Sequence, residues 1–236
     1  MTSPIQFEEK EKYSQITMDD GKANAVSPAL IDAFHNALDQ AEQAKKVVVL
    51  VGREGKFSAG FDLSVMSQGG EAMANLVSGG AELSHRLLSF PYPVIALSTG
   101  HALAMGAILL MSVDYRIGIS GKFKIGLNEV AIGLTMPHFG VEMGRYRLNS
   151  AYINRAVVNA EVFSPEGAVE AGYLDQAVSP EDAMSAVEKQ VEALSGLNMD
   201  AHHGTKLRVR EPLLKGIKDG IEKDFGPNGE WAKQAL

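Results

Sequence analysis

Two short segments rich in small residues could place backbone N–H groups at a single point. They are residues 57–63 (FSAGFDL) and 100–106 (GHALAMG), and each follows an apolar, strand-like run. Gly60 allows a turn that a side chain would obstruct, and the first turn of a helix begun after Gly100 has N–H groups without partners inside that helix. Each segment alone is more typical of an ordinary strand-to-helix turn. Together they predict two donors that stabilise a developing oxyanion, and therefore acyl-group chemistry.

The side chains that could transfer protons beside these donors lie further along the chain. Glu129 is in residues 126–134 (GLNEVAIGL), and the alternative for it is a surface carboxylate on a loop. Glu142 is the second candidate, although its position favours a charge near a helix start. For His101 and His138 we expect packing or hydrogen-bonding roles.

The elements that must position these residues alternate between strands and helices up to about residue 137. Lys46-Val-Val-Val-Leu-Val51 is the pattern of a strand covered on both faces, and the helix over Leu103 to Val113 is apolar all round, which is typical of an interior helix. Further expected elements are strands at 5–7, 13–18, 93–98, 115–119 and 123–125, a helix at 71–89, and helix starts at Ser27-Pro28, Ser164-Pro165 and Ser179-Pro180. This order predicts an α/β core over residues 1–137 that carries the active site, and a mainly helical region over 138–236, joined as one continuous structural unit.

Composition narrows the classes of function. The 236 residues are 45% hydrophobic and 22% charged, which is ordinary for a globular protein with a sizeable core. The net charge of −7 argues against a nucleic-acid partner, because neutralising phosphates requires an excess of Lys and Arg. There is no cysteine, no signal-peptide pattern and no apolar run long enough to span a bilayer. We expect a cytoplasmic protein without a membrane partner or a metal.

Taken in order, these segments resemble a known family. FSAGFDL, GHALAMGA, Asp114 and GLNEVAIGL with Pro137 are similar to the crotonase (enoyl-CoA hydratase/isomerase) superfamily, and the resemblance runs from about Lys22 to Gln176. It implies an α/β fold, a crotonase-like spiral of ββα units, with a helical C-terminal region that forms trimers and covers the pocket. It also implies acyl-CoA substrates, with coenzyme A as part of the substrate and no other cofactor, and a homotrimer or a dimer of trimers.

Carried over by position, the resemblance assigns the two oxyanion donors to the N–H groups of Ala59 and Met105. The family's hydratases usually have glycine where Met105 stands, and its side chain would narrow the acyl pocket. Those hydratases also use two glutamates. Here Ile108 occupies the first position, while Glu129 keeps the second, with Val130, Ile108 and Leu134 as its expected apolar wall.

The loss of one glutamate favours a double-bond shift over hydration. Adding water to an enoyl group requires a base and a proton source, whereas one carboxylate can move a proton from C2 to C4 while the oxyanion hole holds the enolate. The sequence IGLNE, residues 125–129, is moreover similar to the corresponding sequence of the mitochondrial-type 3,2-enoyl-CoA isomerases, which work with a single glutamate. The alternatives are a hydratase or another crotonase reaction, such as acyl-CoA hydrolysis, with a substitute acid from Glu142 or a water, and lastly a non-catalytic CoA-binding homologue.

The resemblance also implies a coenzyme A site. In residues 21–25 (GKANA), Lys22 would face the phosphates and the two alanines the adenine, with a backbone contribution from Asp62 and Leu63. Lys56 is a second candidate phosphate contact. Lys206, Arg208 and Arg210 are interpreted as a solvated helix face, or as contacts to CoA phosphates of this or a neighbouring subunit. The expected substrate-binding residues are therefore Lys22, Ala23, Ala25, Lys56, Gly60, Asp62, Leu63, Ile108 and Pro137.

Overall fold

A computed structural model describes residues 3–226 and residue 229. Six strands form the larger sheet, in the order β1-β2-β3-β5-β7-β9, in which β1 is antiparallel to β2 and all other neighbours are parallel. Their bounds are β1 Ile5–Glu9, β2 Tyr13–Met18, β3 Val47–Val51, β5 Val94–Ser98, β7 Tyr115–Ile119 and β9 Gln176–Val178. The strands expected at 13–18, 46–51, 93–98 and 115–119 are thus confirmed.

A second, smaller sheet contains the strands that follow β3 and β5 in the chain. Its three parallel strands are β4 Gly55–Ser58, β6 Gly100–Leu103 and β8 Ile125–Gly126, with β6 in the middle. Because parallel strands end at one edge of a sheet, the segments that follow β4, β6 and β8 meet there. These segments are the ones that carry Ala59 to Leu63, Met105 and Glu129.

Helices surround the two sheets and follow them. They are α1 Pro28–Ala44, α2 Leu63–Met66, α3 Gly70–Ser89, α4 Met105–Met111, α5 His138–Arg147, α6 Pro165–Ala171, α7 Ala183–Ser195 and α8 Met199–Phe225. Ser27 and Ser164 accept hydrogen bonds at the starts of α1 and α6, each with proline at the first helical position, as the sequence predicts. Every residue of α4 is buried, which confirms the interior helix. No helix in the described ranges is long and apolar enough to cross a membrane.

Three elements differ from the expectations. Residues 100–103 pair with β4 and β8 as strand β6 rather than forming the loop before the helix. Residues 176–178 return to the larger sheet and pair with β7, a strand with no alternating pattern of its own. The α7 helix begins at Ala183, three residues after Pro180, because the Ser179 hydroxyl bonds Asp182 in a turn that precedes it.

Helix α8 is tied to the core by buried charges. Asp114, which lies just before β7, forms ion pairs with Lys206 Nζ and Arg210 Nη2, both at 2.8 Å, and accepts a hydrogen bond from the Val94 N–H at 2.7 Å. The side chains of Lys206 and Arg210 are only 3% and 8% exposed. The interpretation of these two residues as a solvated helix face, or as phosphate contacts, is therefore wrong. Desolvation lowers the pKa of Lys206, although Asp114 opposes that change.

The Asp114 cluster leads to a prediction on stability. Asp114→Asn keeps the shape of the side chain but leaves two cations buried without their counter-charge, so the free energy of unfolding should fall by about 3–5 kcal/mol. Urea denaturation measures the change. Asp219→Asn is the matched control, because Asp219 pairs with Lys215 on the surface of the same helix and should change stability by less than about 1 kcal/mol. Equal losses in the two variants would contradict the role assigned to Asp114.

Candidate active site

Two glycines allow the segments after β4 and β6 to lie against each other. Gly60 has a φ of +97°, and a Cβ there would lie 2.9 Å from Ala104 Cβ and 3.1 Å from Leu103 O. Likewise, a Cβ on Gly106, in the second segment, would collide with the carbonyl of Ser58 in the first segment. Neither position therefore accommodates a side chain without displacement of the other segment. This close approach confirms that the two segments meet, as their small residues predict.

The hydrogen bonds of the first segment identify its free donor. The Ala59 N–H donates to the Ala23 carbonyl at 3.0 Å, so the expectation that Ala59 provides an oxyanion donor is wrong. The Val26 N–H donates to the Gly60 carbonyl at 2.8 Å, and the Val26 carbonyl accepts the Asp62 N–H at 3.0 Å. In this parallel bridge, the N–H of Phe61 does not bond to Val26. Within the described ranges the Phe61 N–H has no hydrogen-bond partner. The available N–H of this segment is therefore that of Phe61, two residues beyond the predicted one.

The second segment provides its donor at the start of α4. Met105 is the first residue of that helix, and its N–H has no partner in the part of the chain that the structure describes. Ala104, just before it, has a φ of +50°, a backbone conformation that L residues rarely adopt. The Ala104 N–H is held by the Gly126 carbonyl at 3.0 Å. Met105 N lies 3.5 Å from the position of a Cβ on Gly60, which places it beside the first segment as predicted.

A cavity of about 620 Å³ is lined by Phe61 and by Ala104, the residue just before Met105. Seven of the predicted site residues line it, namely Ala23, Ala25, Ala59, Leu63, Ile108, Glu129 and Pro137. Nine others that the sequence did not single out as site residues also line it: Phe61, Met66, Ser67, Val77, Ala104, Asn128, Ile132, Leu134 and Phe139. Most of these side chains are apolar, which suits an acyl chain.

Glu129 is the acidic residue of this cavity. It lies at the start of a 3₁₀ turn over Val130–Ile132, where its own carbonyl accepts the N–H groups of Ile132 and Leu134 at 3.1 and 3.0 Å. The residue is 7% exposed, and Oε2 has no hydrogen-bond partner among the described residues. Burial raises the pKa of its carboxyl to about 7. A carboxyl with this pKa is suited to proton transfer near neutral pH.

The surroundings of Glu129 agree only partly with the predicted apolar wall. Ile108 and Leu134 line the cavity with it, but Val130 is 46% exposed and does not. Two polar groups near Glu129 were missed. Asn128 Oδ1 and the Tyr173 hydroxyl are buried without a partner in the described structure, and Asn128 lines the cavity. Burial raises the pKa of Tyr173, and the charge of Glu129 raises it further.

The other candidate acids and bases lie outside the cavity lining. Glu142 forms an ion pair with Arg145 at 2.8 Å on the surface of α5. His101 Nδ1 accepts the Lys124 N–H at 3.0 Å, and the side chain of His138 bonds Asp224 at 2.7 Å. These contacts agree with the packing and hydrogen-bonding roles expected for the two histidines.

Five of the predicted site residues do not line the cavity, but each lies within three residues of a lining residue in the chain. Lys22 and Lys56 are exposed, and Arg53, which the sequence did not single out, joins them. Its Nη1 donates to the Lys22 carbonyl at 2.6 Å, and its own carbonyl accepts the Lys56 N–H at 3.1 Å. The remaining three are Gly60 and Met105, whose contacts are described above, and Asp62, which caps α2 through Ser64 N–H at 2.8 Å. Arg53 could have been found only from the fold, because nothing in its neighbouring sequence marks it.

The candidate site thus combines a carboxyl that has a raised pKa with an apolar cavity and two unpaired N–H groups, and comparison with known proteins shows the family to which the chain belongs. The family model for enoyl-CoA hydratase/isomerase matches residues 8–211, and the chain belongs to this family. A solved structure of an enoyl-CoA hydratase/isomerase family protein from Pseudomonas syringae is similar with a TM-score of 0.93 and 46% identity, over 95% of this chain and 97% of that one.

Two further relatives carry different names for the reaction. The apo structure of an enoyl-CoA isomerase from Mycobacterium tuberculosis matches with a TM-score of 0.90 and 38% identity, over 94% of this chain and 98% of that one. Carnitinyl-CoA dehydratase from Salmonella enteritidis is 29% identical over 184 residues, 76% of this chain and 70% of that protein. The crotonase fold, with its helical C-terminal region, is therefore confirmed, and the specific reaction is open between isomerisation and hydration or dehydration.

Proposed function

We propose that the protein shifts the double bond of an enoyl-CoA from the 3 to the 2 position, with Glu129 as the base. The proposal rests on the number of carboxylates that line the cavity. Among the lining side chains of the described residues, Glu129 supplies the one carboxylate, while Ile108 is apolar at the other expected position. One carboxylate suffices for a proton shuttle, whereas hydration requires a second acid or a substitute for it.

The proposed reaction proceeds through a thioester enolate. Glu129 takes the proton from C2, and the electrons of that C–H bond move into the thioester carbonyl. The N–H groups of Phe61 and Met105 donate to the resulting oxyanion, and each such donor is worth about 3–4 kcal/mol in the transition state. When the enolate collapses, its electrons form the C2–C3 double bond, the C3–C4 double bond breaks, and the electrons of that bond take the proton from Glu129 at C4 on the same face.

The coenzyme A portion would lie at the mouth of the cavity. Ala23 and Ala25 line the cavity, and Lys22, Arg53 and Lys56 are joined close to them by hydrogen bonds, with Arg53 also paired to Asp19 at 3.3 Å. Cations at this place favour the phosphates of coenzyme A. The proposal retains two further expectations, a homotrimer or dimer of trimers and a cytoplasmic location.

A direct assay separates isomerisation from hydration. With 3-enoyl-CoA, the conjugated 2-enoyl thioester should accumulate, which ultraviolet absorbance measures. With 2-enoyl-CoA in heavy-oxygen water, C3 should acquire no label beyond the uncatalysed level. Efficient labelling of C3 would establish a hydratase instead, and binding of both esters without turnover would establish a non-catalytic homologue; either result overturns the proposal.

The raised pKa of Glu129 also predicts the pH dependence of the reaction. Only the ionised carboxylate can accept the C2 proton, so kcat/KM should rise with pH and level off above the pKa of about 7. Below that value it should fall about tenfold for each pH unit. Steady-state rates between pH 5 and pH 9, at about constant ionic strength, measure the profile. A midpoint near the ordinary glutamate pKa would contradict the buried environment assigned to this base.

A further inference from the structure

Helix α3 carries a notch that receives the side chains of both proposed donor residues. Gly80 lies on the buried side of α3, and a Cβ there would lie 2.7 Å from Cε1 and Cζ of Phe61. The same Cβ would lie 3.2 Å from Cε of Met105. The missing side chain of one glycine therefore makes room for a phenylalanine ring and a methionine methyl group, which belong to the two residues with unpaired N–H groups.

The neighbouring glycine provides a contrast. Gly79 is in the same helix, and the nearest atom to a Cβ there is Ile31 Cδ1 at 3.4 Å, an ordinary contact. Glycine is the least favourable helical residue after proline, so its presence in a helix interior calls for a reason. At position 79 a side chain would fit, so lack of space does not explain the glycine there. At position 80 a side chain would meet the Phe61 ring, so lack of space does explain the glycine.

The backbone around the donors transmits a displacement of the ring to the N–H group. Val26 holds both neighbours of Phe61 by hydrogen bonds, so the part of a ring displacement that rotation of the side chain does not absorb tilts the peptide between them. Met105 is 0% exposed, and its side chain is enclosed where α4 begins.

We propose that Gly80 is a positioning residue: the notch in α3 seats Phe61 and Met105 and so directs their N–H groups to one point. The inference rests on the proposed function, in which those N–H groups stabilise the enolate. Gly80 itself does not line the cavity. Its substitution acts on the cavity through Phe61, which lines it, and should weaken binding of the enolate more than binding of the ground-state ester, because the enolate depends more on both N–H groups.

The test compares Gly80→Ala with the matched control Gly79→Ala. Gly80→Ala should lower kcat at least about tenfold, because small misplacements of catalytic groups have effects of this size, while KM changes little. Gly79→Ala should retain the wild-type kcat. Phe61→Leu removes the ring atoms that meet the new methyl group, so the double variant should lose less activity than the product of the two single losses. Thermal unfolding followed by circular dichroism verifies that each variant folds.

A second readout does not depend on isomerase turnover. Acetoacetyl-CoA forms an enolate that absorbs in the near ultraviolet, and two aligned donors increase its bound enolate fraction. We expect this fraction to fall in Gly80→Ala and to stay at the wild-type level in Gly79→Ala. If wild-type protein fails to isomerise 3-enoyl-CoA, the proposed function fails, but the enolate comparison still tests Gly80. Equal enolate fractions in wild type and Gly80→Ala, equal losses at positions 79 and 80, or independent effects of Gly80→Ala and Phe61→Leu would overturn the inference.

Discussion

Glu129→Gln should lower kcat for 3-enoyl-CoA by about 10³-fold, the typical contribution of a positioned general base. The amide keeps the size of the side chain but cannot accept the C2 proton. Affinity for a saturated acyl-CoA, measured by calorimetry, should change less than about threefold, because binding of the ground-state ester does not require the side chain at position 129 to accept a proton. Glu142→Gln is the matched control and should retain the wild-type kcat, since Glu142 pairs with Arg145 away from the cavity lining. Unchanged turnover in Glu129→Gln would exclude the proposed base.

The same substitution should stabilise the fold at high pH. The carboxyl of Glu129 has a pKa of about 7 when folded, against 4.5 as its ordinary value. The folded state therefore binds this proton more tightly, and stability is lost as the pH rises from 4.5 through 7. Above pH 7 the glutamine variant should be more stable than wild type by about 3 kcal/mol, and below pH 4.5 the difference should vanish. Chemical denaturation at several pH values measures this, and it separates loss of the base from loss of folding.

The main elements of the site could be predicted because their signals are local. An apolar run without a polar face predicts the interior helix α4, since it has no side that could face water. The small residues around Gly60 and Gly106 predict two chain segments in close contact. Glu129 follows from the resemblance of residues 126–134 to the family, since from the residues alone a surface carboxylate is the commoner expectation. These predictions require no knowledge of which strand lies beside which.

The donor in the first segment could not be predicted locally. Whether the N–H of Ala59 or that of Phe61 is free depends on which peptides pair with Ala23 and Val26, more than thirty residues earlier in the chain. N–H groups alternate in direction along an extended segment, so the orientation is set by the partner and not by the segment. The resemblance to a family identified the correct segment but assigned the donor to Ala59, two residues before Phe61.

Lys206 and Arg210 show a second limit of the sequence. Cations on a helix are usually solvated, and nothing near them in the chain indicates otherwise. Their burial follows from Asp114, 92 residues before Lys206, which the fold brings within 2.8 Å. Charge pairing over such distances becomes visible only when the fold is known.

Gly60→Ala should reduce kcat by about 10²-fold, because the substitution moves a donor and the segment against which it packs. A φ of +97° is strained for alanine, and its Cβ would lie 2.9 Å from Ala104 Cβ. The segment must tilt to relieve the contact, and the Phe61 peptide is the next one along. The free energy of unfolding should also fall, by about 1–3 kcal/mol for the strained backbone. Steady-state kinetics and urea denaturation measure the two effects.

A second glycine with a positive φ separates the effect of backbone strain on kcat from the effect of moving the donor. Gly55 also has a positive φ, +75°, but a Cβ there meets nothing within 4 Å. Gly55→Ala should therefore lose stability without losing activity. Ala104→Gly combined with Gly60→Ala removes the nearest clashing atom and should restore part of kcat, while the contact at Leu103 O, 3.1 Å away, remains. If Gly55→Ala and Gly60→Ala reduce kcat equally, backbone strain explains the loss, and the contact between the two segments does not direct the donors.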